Sequence, residues 1–148
     1  MKIYMDVCCL FRPFDENRAQ DRIRNEAEAV STIVELCKQH GWEMLDSEMI
    51  AFEMANATSA KTAEQVMDFF PFSGKRVMLT KEAENRAAFF QQNGIDTIDS
   101  FHLALAEAGG SDVFLTTDDR FLRKASKLAL KVKAMNPEAW IKGGMKNG

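Results

Sequence analysis

At 148 residues the chain has room for one domain whose core needs no disulfide staples. Its 46% hydrophobic and 28% charged residues are ordinary for a folded chain, and no apolar run reaches membrane-spanning length. A formal net charge of −3 and a pI near 5.5 exclude a chain built throughout as a polycation for nucleic acid, while leaving room for a local basic rim.

Cys8, Cys9 and Cys37 are odd in number and two of them are adjacent, so neither a zinc spacing nor a disulfide framework follows. They are expected to be packing residues in a reducing compartment. Met1-Lys2 leads straight into a strand-like segment with no signal-peptide architecture. A cytoplasmic location without membrane contact is the expectation.

In chain order, Ile3-Tyr4-Met5 is short, apolar and β-prone, and Asp6 follows at once. With Val7 to Leu10 also apolar, Asp6 is expected at the end of a central strand, where a carboxylate is costly unless partnered. An aspartate there can also cap the next turn. Arg12-Pro13-Phe14-Asp15 reads as a turn. From Asn17 to His40, Ile23, Ala27, Val30, Val34 and Cys37 follow one helical face, and Gly41 ends it. Arg12, Arg22 and Arg24 lie near the first strand's exit. The ordinary use of such side chains is a solvated mixed-charge face, but one of them could reach a phosphate or brace an acidic cluster. Arg12 and Arg22 are the candidate substrate-binding residues.

Trp42 to Leu45 reads as a second strand, with Asp46 or Ser47 capping a helix from Glu48 to Ala57. Glu53 shares its face with Met49 and Ala57, and a glutamate on an inward apolar stripe is expensive unless it is used. Glu48 suits the positive end of the helix dipole. Thr62 to Phe69 reads as another helix; Pro71, Ser73 and Gly74 then break the chain before a brief extended piece, Val77 to Leu79. Phe69, Phe70 and Phe72 beside Lys75 and Arg76 suit core packing or a subunit interface, which makes a homodimer a candidate assembly; base stacking is their rarer use.

Thr80 caps a helix that runs to Gln92 and is closed by Gly94. Asp99 opens another, with Phe101, Leu103, Leu105 and Ala108 apolar, stopped by Gly109-Gly110 in the left-handed cap conformation. Val113-Phe114-Leu115 reads as a buried parallel strand. It ends in Thr116-Thr117-Asp118-Asp119, and a helix from Arg120 to Leu128 follows. One aspartate is enough to cap that helix, and here there are two. Leu130 to Met135 reads as the last strand and Glu138 to Ile141 as a last helical turn. The domain spans 1–141, with 142–148 as a flexible tail.

Strands thus alternate with helices, and acids recur at strand exits or on inward helical faces: Asp6, Glu53, Asp99, Asp118 and its neighbour Asp119. Ligands of open α/β sheets bind beyond the carboxyl ends of the strands. Oxygen donors without histidine or thiolate select Mg²⁺ or Mn²⁺ over zinc. Converging carboxylates need such a cation or must partly neutralise, and the ion can polarise a phosphodiester and activate water.

These residues resemble the PIN-domain ribonucleases: Asp6 after the first strand, Glu53 on the third helix, Asp99 in the DSFHLALA segment, and the TTDDRFL tip. The resemblance covers nearly the whole chain and is strongest over 94–122. It implies a three-layer α/β/α sandwich with a central, mainly parallel sheet. It also implies RNA as substrate, cleaved with Mg²⁺ or Mn²⁺ held by Asp6, Glu53, Asp99 and Asp118, with Thr116 as an ordering hydroxyl. Asp119 is placed to cap the following helix. Many family members are toxins, which makes an antitoxin protein a candidate partner. The family often has Asp-Thr or Asp-Ser after the first strand; Asp6-Val7-Cys8 lacks that hydroxyl. His102 is expected to pack or hydrogen-bond inside its helix rather than to ligate metal. A haloacid-dehalogenase-type phosphatase needs a second aspartate where Cys8 stands, and a response-regulator receiver needs an acid pair where Asp6 stands alone. The alternative that remains is a non-catalytic PIN-like module that binds RNA or a partner protein.

Overall fold

The computed structural model describes residues 1–143. Five strands, β1 (Lys2–Met5), β2 (Glu43–Ser47), β3 (Phe72–Val77), β4 (Val113–Leu115) and β5 (Lys133–Met135), form one sheet in the order β3-β2-β1-β4-β5. Every pairing is parallel. Parallel neighbours require crossovers, and helices supply them. Between β1 and β2 run α1 (Val7–Phe11), a 3₁₀ turn (Arg12–Phe14) and α2 (Asp21–His40). α3 (Glu48–Ala55) and α4 (Ala60–Phe69) join β2 to β3, and α5 (Lys81–Gln92) and α6 (Thr97–Ala108) join β3 to β4. α7 (Asp119–Ala125) leads to β5, and α8 (Pro137–Lys142) follows it.

The core sits on the two central strands. Ile3, Tyr4 and Met5 are all buried, as are Val113, Phe114 and Leu115. Burial of consecutive strand residues means that both faces of the sheet are covered. The helices pack in two groups, α2 with α8, and α6 with α3 and α5. This is the three-layer α/β/α arrangement with a parallel sheet that the sequence led us to expect. No helix among the described residues is long and apolar enough to cross a membrane.

Local chemistry accounts for most element ends. Gly41 takes a left-handed conformation (φ 65°) and closes α2, while Ser47, Ser59 and Thr80 cap α3, α4 and α5 through their side chains. Between Asp46 and Ser47, then, the cap is Ser47. α2 starts at Asp21 rather than Asn17, because Asp15 accepts the Asn17 amide at 2.9 Å and holds the approach in a turn. Val7 to Leu10 folds as helix α1 under an Asp6 cap.

Ser73 and Gly74 lie inside β3 instead of breaking the chain, and β3 ends where the expected strand Val77 to Leu79 would have begun. β3 is an edge strand with exposed Gly74, Lys75 and Arg76, so it carries none of the apolar pattern of a buried strand. β5, at the other edge, begins at Lys133 and not at Leu130. In the aromatic patch, Phe70 is in the core and Phe69 packs edge-to-face on Phe14 with ring centroids 5.6 Å apart. Lys142, the first residue of the expected tail, belongs to α8; 144–148 lie outside the described residues.

Gly109 ends α6 with ordinary right-handed backbone (φ −79°); the left-handed residue is Gly110 (φ 74°). What Gly109 supplies is space. A Cβ there would lie 2.8 Å from Leu45 Cδ1 and 2.8 Å from Val77 Cγ2, because the helix end is pressed onto β2 and β3. Overpacking of this kind costs about 1–3 kcal/mol. Gly109→Ala is therefore expected to lower Tm by several degrees in calorimetry; an unchanged Tm would show that the contact is slack.

Candidate functional site

The strand order places the site. From β1 the chain moves to β2 on one side and later reaches β4 on the other. The carboxyl ends of β1 and β4 therefore flank a topological switch point, where open α/β sheets bind ligands. Met5 pairs with Leu115, and the next residues on the two strands are Asp6 and Thr116. Thr116 Oγ1 donates to Asp6 Oδ2 at 2.5 Å and accepts the Asp118 amide at 3.1 Å. The other Asp6 oxygen, Oδ1, accepts the Cys9 amide at 3.1 Å and caps α1. Asp6 thus does both things the sequence left open: it caps a helix and stands at the exit of the central strand. Burial pushes its carboxyl above the ordinary value, opposed by the hydrogen bonds from Thr116 and the Cys9 amide.

Glu53 and Asp99 arrive from helices. α3 packs on α6, and this brings both acids to one cleft of about 270 Å³ together with Asp6, Cys8 and His102. Asp99 is in the first turn of α6, where an acid also suits the dipole. Its environment is more than that of a cap: burial, then Asp6 and Asp118, push its carboxyl up to about 6. Asp118 does not line the cleft but is close enough to raise both Asp99 and Cys8.

The donor chemistry of these acids fits a divalent cation. The carboxylates oppose one another electrostatically, and Asp99 has no hydrogen-bond or ion-pair partner among the described residues. A hard cation would satisfy both conditions. As the side chains now lie, no three His, Cys, Asp or Glu among the described residues form a ligand group. Binding an ion would require the acids to draw together.

The sequence matches the PIN domain family over residues 3–127. The chain belongs to the PIN domain family. Solved structures carry the same fold. The structure of VapBC2 from Rickettsia felis, bound to a DNA fragment from their promoter, includes a chain with 13% identity and a TM-score of 0.52, covering 92% of this chain and 98% of that one. FitAcB from Neisseria gonorrhoeae includes a chain with 14% identity and a TM-score of 0.57, covering 91% and 97% respectively. At such identities the likeness is one of fold. No curated protein matches the sequence.

In this PIN domain the helix cap falls on the other tip aspartate from the one expected. Asp118, not Asp119, caps α7, with Oδ1 accepting the Phe121 amide at 3.0 Å. Asp119 faces α2, where Arg22 grips it through Nη1 at 2.6 Å and Nη2 at 2.9 Å. The guanidinium holds the Asp119 carboxyl below its ordinary value. α7 begins at Asp119, so the residue just before it, Asp118, takes the cap.

Arg12 and Arg22 brace acids rather than stand free. Both reach Glu26, 1% exposed, from Arg12 Nη2 at 3.1 Å and Arg22 Nε at 3.2 Å, while Asn136 Nδ2 donates to it at 2.6 Å. Glu26 escaped notice because on α2 it looks like one of several solvated charges. Arg22 also donates to the Thr117 carbonyl at 2.9 Å, tying α2 to the tip that carries Asp118.

Cys9 and Cys37 are buried, as packing residues should be, but Cys8 is exposed on the wall of the cleft. Desolvation against the cleft wall, where the residue is only partly open to solvent, pushes its thiol up to about 12, and Asp6, Asp99, Asp118 and Glu53 add to this. It stays protonated and is no nucleophile at neutral pH. His102 also departs from expectation. It bonds out of its helix, to Glu53 on α3 through Nε2 and to Tyr4 on β1 through Nδ1. The spacing held a clue. Tyr4 precedes Asp6 by two residues on one strand face, and His102 follows Asp99 by three on one helix face.

Proposed function

We propose that this PIN domain is a metal-dependent endoribonuclease. The observation that carries the reading is Asp99: an acid without a hydrogen-bond or ion-pair partner among the described residues, in a cleft with Asp6 and Glu53, whose carboxyl is pushed up to about 6 by burial and by Asp6 and Asp118. Groups perturbed in this way cluster at functional sites. Asp6, Asp99, Asp118 and Glu53 would hold Mg²⁺ or Mn²⁺, and the bound ion supplies Lewis-acid polarisation of a phosphodiester and a water activated for attack. Thr116 orders two of the four acids at once, since its hydroxyl donates to Asp6 and accepts the Asp118 amide. Membership of a family with many toxins, and the fold shared with the VapBC2 and FitAcB chains, support a toxin role with an antitoxin partner.

The second reading, a non-catalytic module that binds RNA or a protein, is favoured by one observation: as they lie, no three of the acids form a ligand group. Cleavage of a mixed RNA pool separates the two. The metal-free protein is expected to be inert, to cut with Mg²⁺ or Mn²⁺, and to stop when chelator is added. Full cleavage in excess chelator, with Asp99→Asn protein prepared alongside as a contamination control, would remove the metal mechanism. No cleavage with any divalent ion would favour the binding module.

A further inference from the structure

Behind the cleft runs a line of buried polar side chains that the acids alone do not require. Tyr4, on β1, is fully buried, and its hydroxyl lies 2.7 Å from Ser47 Oγ and 2.6 Å from His102 Nδ1. The other ring nitrogen of His102, Nε2, bonds Glu53 Oε1. Ser47 Oγ in turn accepts the Ile50 amide at 3.1 Å, which caps α3, the helix that carries Glu53. The bonds run from the start of α3 through β1 and α6 back to α3.

One placement of protons satisfies every member. Ser47 donates to the Tyr4 oxygen, Tyr4 donates to Nδ1, and Nε2–H donates to the Glu53 carboxylate. A fully satisfied buried network locks the rotamers of its members. Glutamate is among the side chains with most rotamer freedom to lose, and Glu53 is only half-buried. A carboxylate ligand anchored by a hydrogen bond from behind is preorganised for its ion.

We propose that His102 is a positioning residue: with its tautomer set by Tyr4, it holds Glu53 Oε1 and leaves Oε2 for a divalent cation in the cleft. This rests on the metal-dependent reading above. Both ring nitrogens are taken, so His102 itself is not a ligand. If it were only a satisfied core histidine, its loss would lower stability and leave the affinity of the folded protein for the ion untouched.

The test is Mn²⁺ titration of the metal-free protein by calorimetry, with melting curves in chelator for each variant. His102→Leu is expected to weaken Mn²⁺ binding 10- to 100-fold, the usual scale for groups that orient metal ligands. Tyr4→Phe keeps the ring stacked on Phe114, at 5.4 Å between centroids, and is expected to weaken binding several-fold. His102→Gln, which retains a donor, should recover most of the loss. In a Glu53→Ala background, His102→Leu should add no further loss, since it acts only through Glu53. Parental Mn²⁺ affinity in the folded His102→Leu and Tyr4→Phe proteins, with Glu53→Ala weakened, overturns the positioning role and leaves the metal reading standing. If His102→Leu does not fold, Tyr4→Phe decides the matter alone. A parent protein that binds no Mn²⁺ overturns both.

Discussion

Asp99→Asn is expected to cut RNA cleavage by orders of magnitude while leaving the metal-free protein as stable as the parent or more so. The substitution keeps the shape of the side chain and removes one of several like charges. In the parent, burial and the carboxylates of Asp6 and Asp118 push the Asp99 carboxyl up from 3.8 to about 6. The folded state therefore holds a proton on Asp99 more tightly than the unfolded state does. Its favourable contribution is fully present below about pH 4 and is lost as pH rises through about 6. Between pH 5 and 7.5 the metal-free parent should thus lose more stability than Asp99→Asn, and the difference between their Tm values across that range isolates Asp99. Added Mg²⁺ should stabilise the parent more than the variant, because stabilisation by a ligand follows its affinity for the folded state. A variant that melts clearly lower without metal, yet gains as much from Mg²⁺ as the parent, would make Asp99 a structural carboxylate.

The second large effect is expected at the tip. Asp118→Asn should retain α7, since asparagine caps nearly as well as aspartate and can still accept the Phe121 amide. What it loses is the charge that acts on Asp99. Cleavage should fall by roughly tenfold or more, as expected when a ligand to a catalytic ion is weakened. The Asp99 carboxyl should also move back towards its ordinary value, because Asp118 is one of the charges that raise it. Both can be followed, the first by kinetics at saturating Mg²⁺ and the second by carboxyl NMR titration. Asp119→Asn removes one charge from an exposed pair with Arg22, and pairs of that kind contribute about 0–1 kcal/mol. Its cleavage should stay within a few-fold of the parent. The reverse ranking would mean that the Arg22–Asp119 pair opens in the working enzyme and that Asp119 is the fourth acid.

Local chemistry in the sequence by itself determined the alternation of strands and helices, the buried central strands and the acids at their exits. Three consecutive apolar residues at Ile3 to Met5 and at Val113 to Leu115 read as buried strands, and Asp6 and Thr116 follow them directly. The apolar neighbours of Glu53 in the sequence marked it as an acid out of place, although α3 ends at Ala55 and buries only Ile50. The edge strand β3 was misplaced by this reading because one side of it meets solvent and its residues carry no apolar pattern. Tertiary structure alone decided the partners. Asp119 became the partner of Arg22 because α2 lies beside the tip, 97 residues away in the chain. His102 reaches Tyr4 across 98 residues and Glu53 across 49, distances that helical periodicity cannot see. Periodicity follows from backbone geometry and is written in neighbouring residues. The partner of a buried hydrogen bond depends on which crossover brings two strand ends or helix faces together.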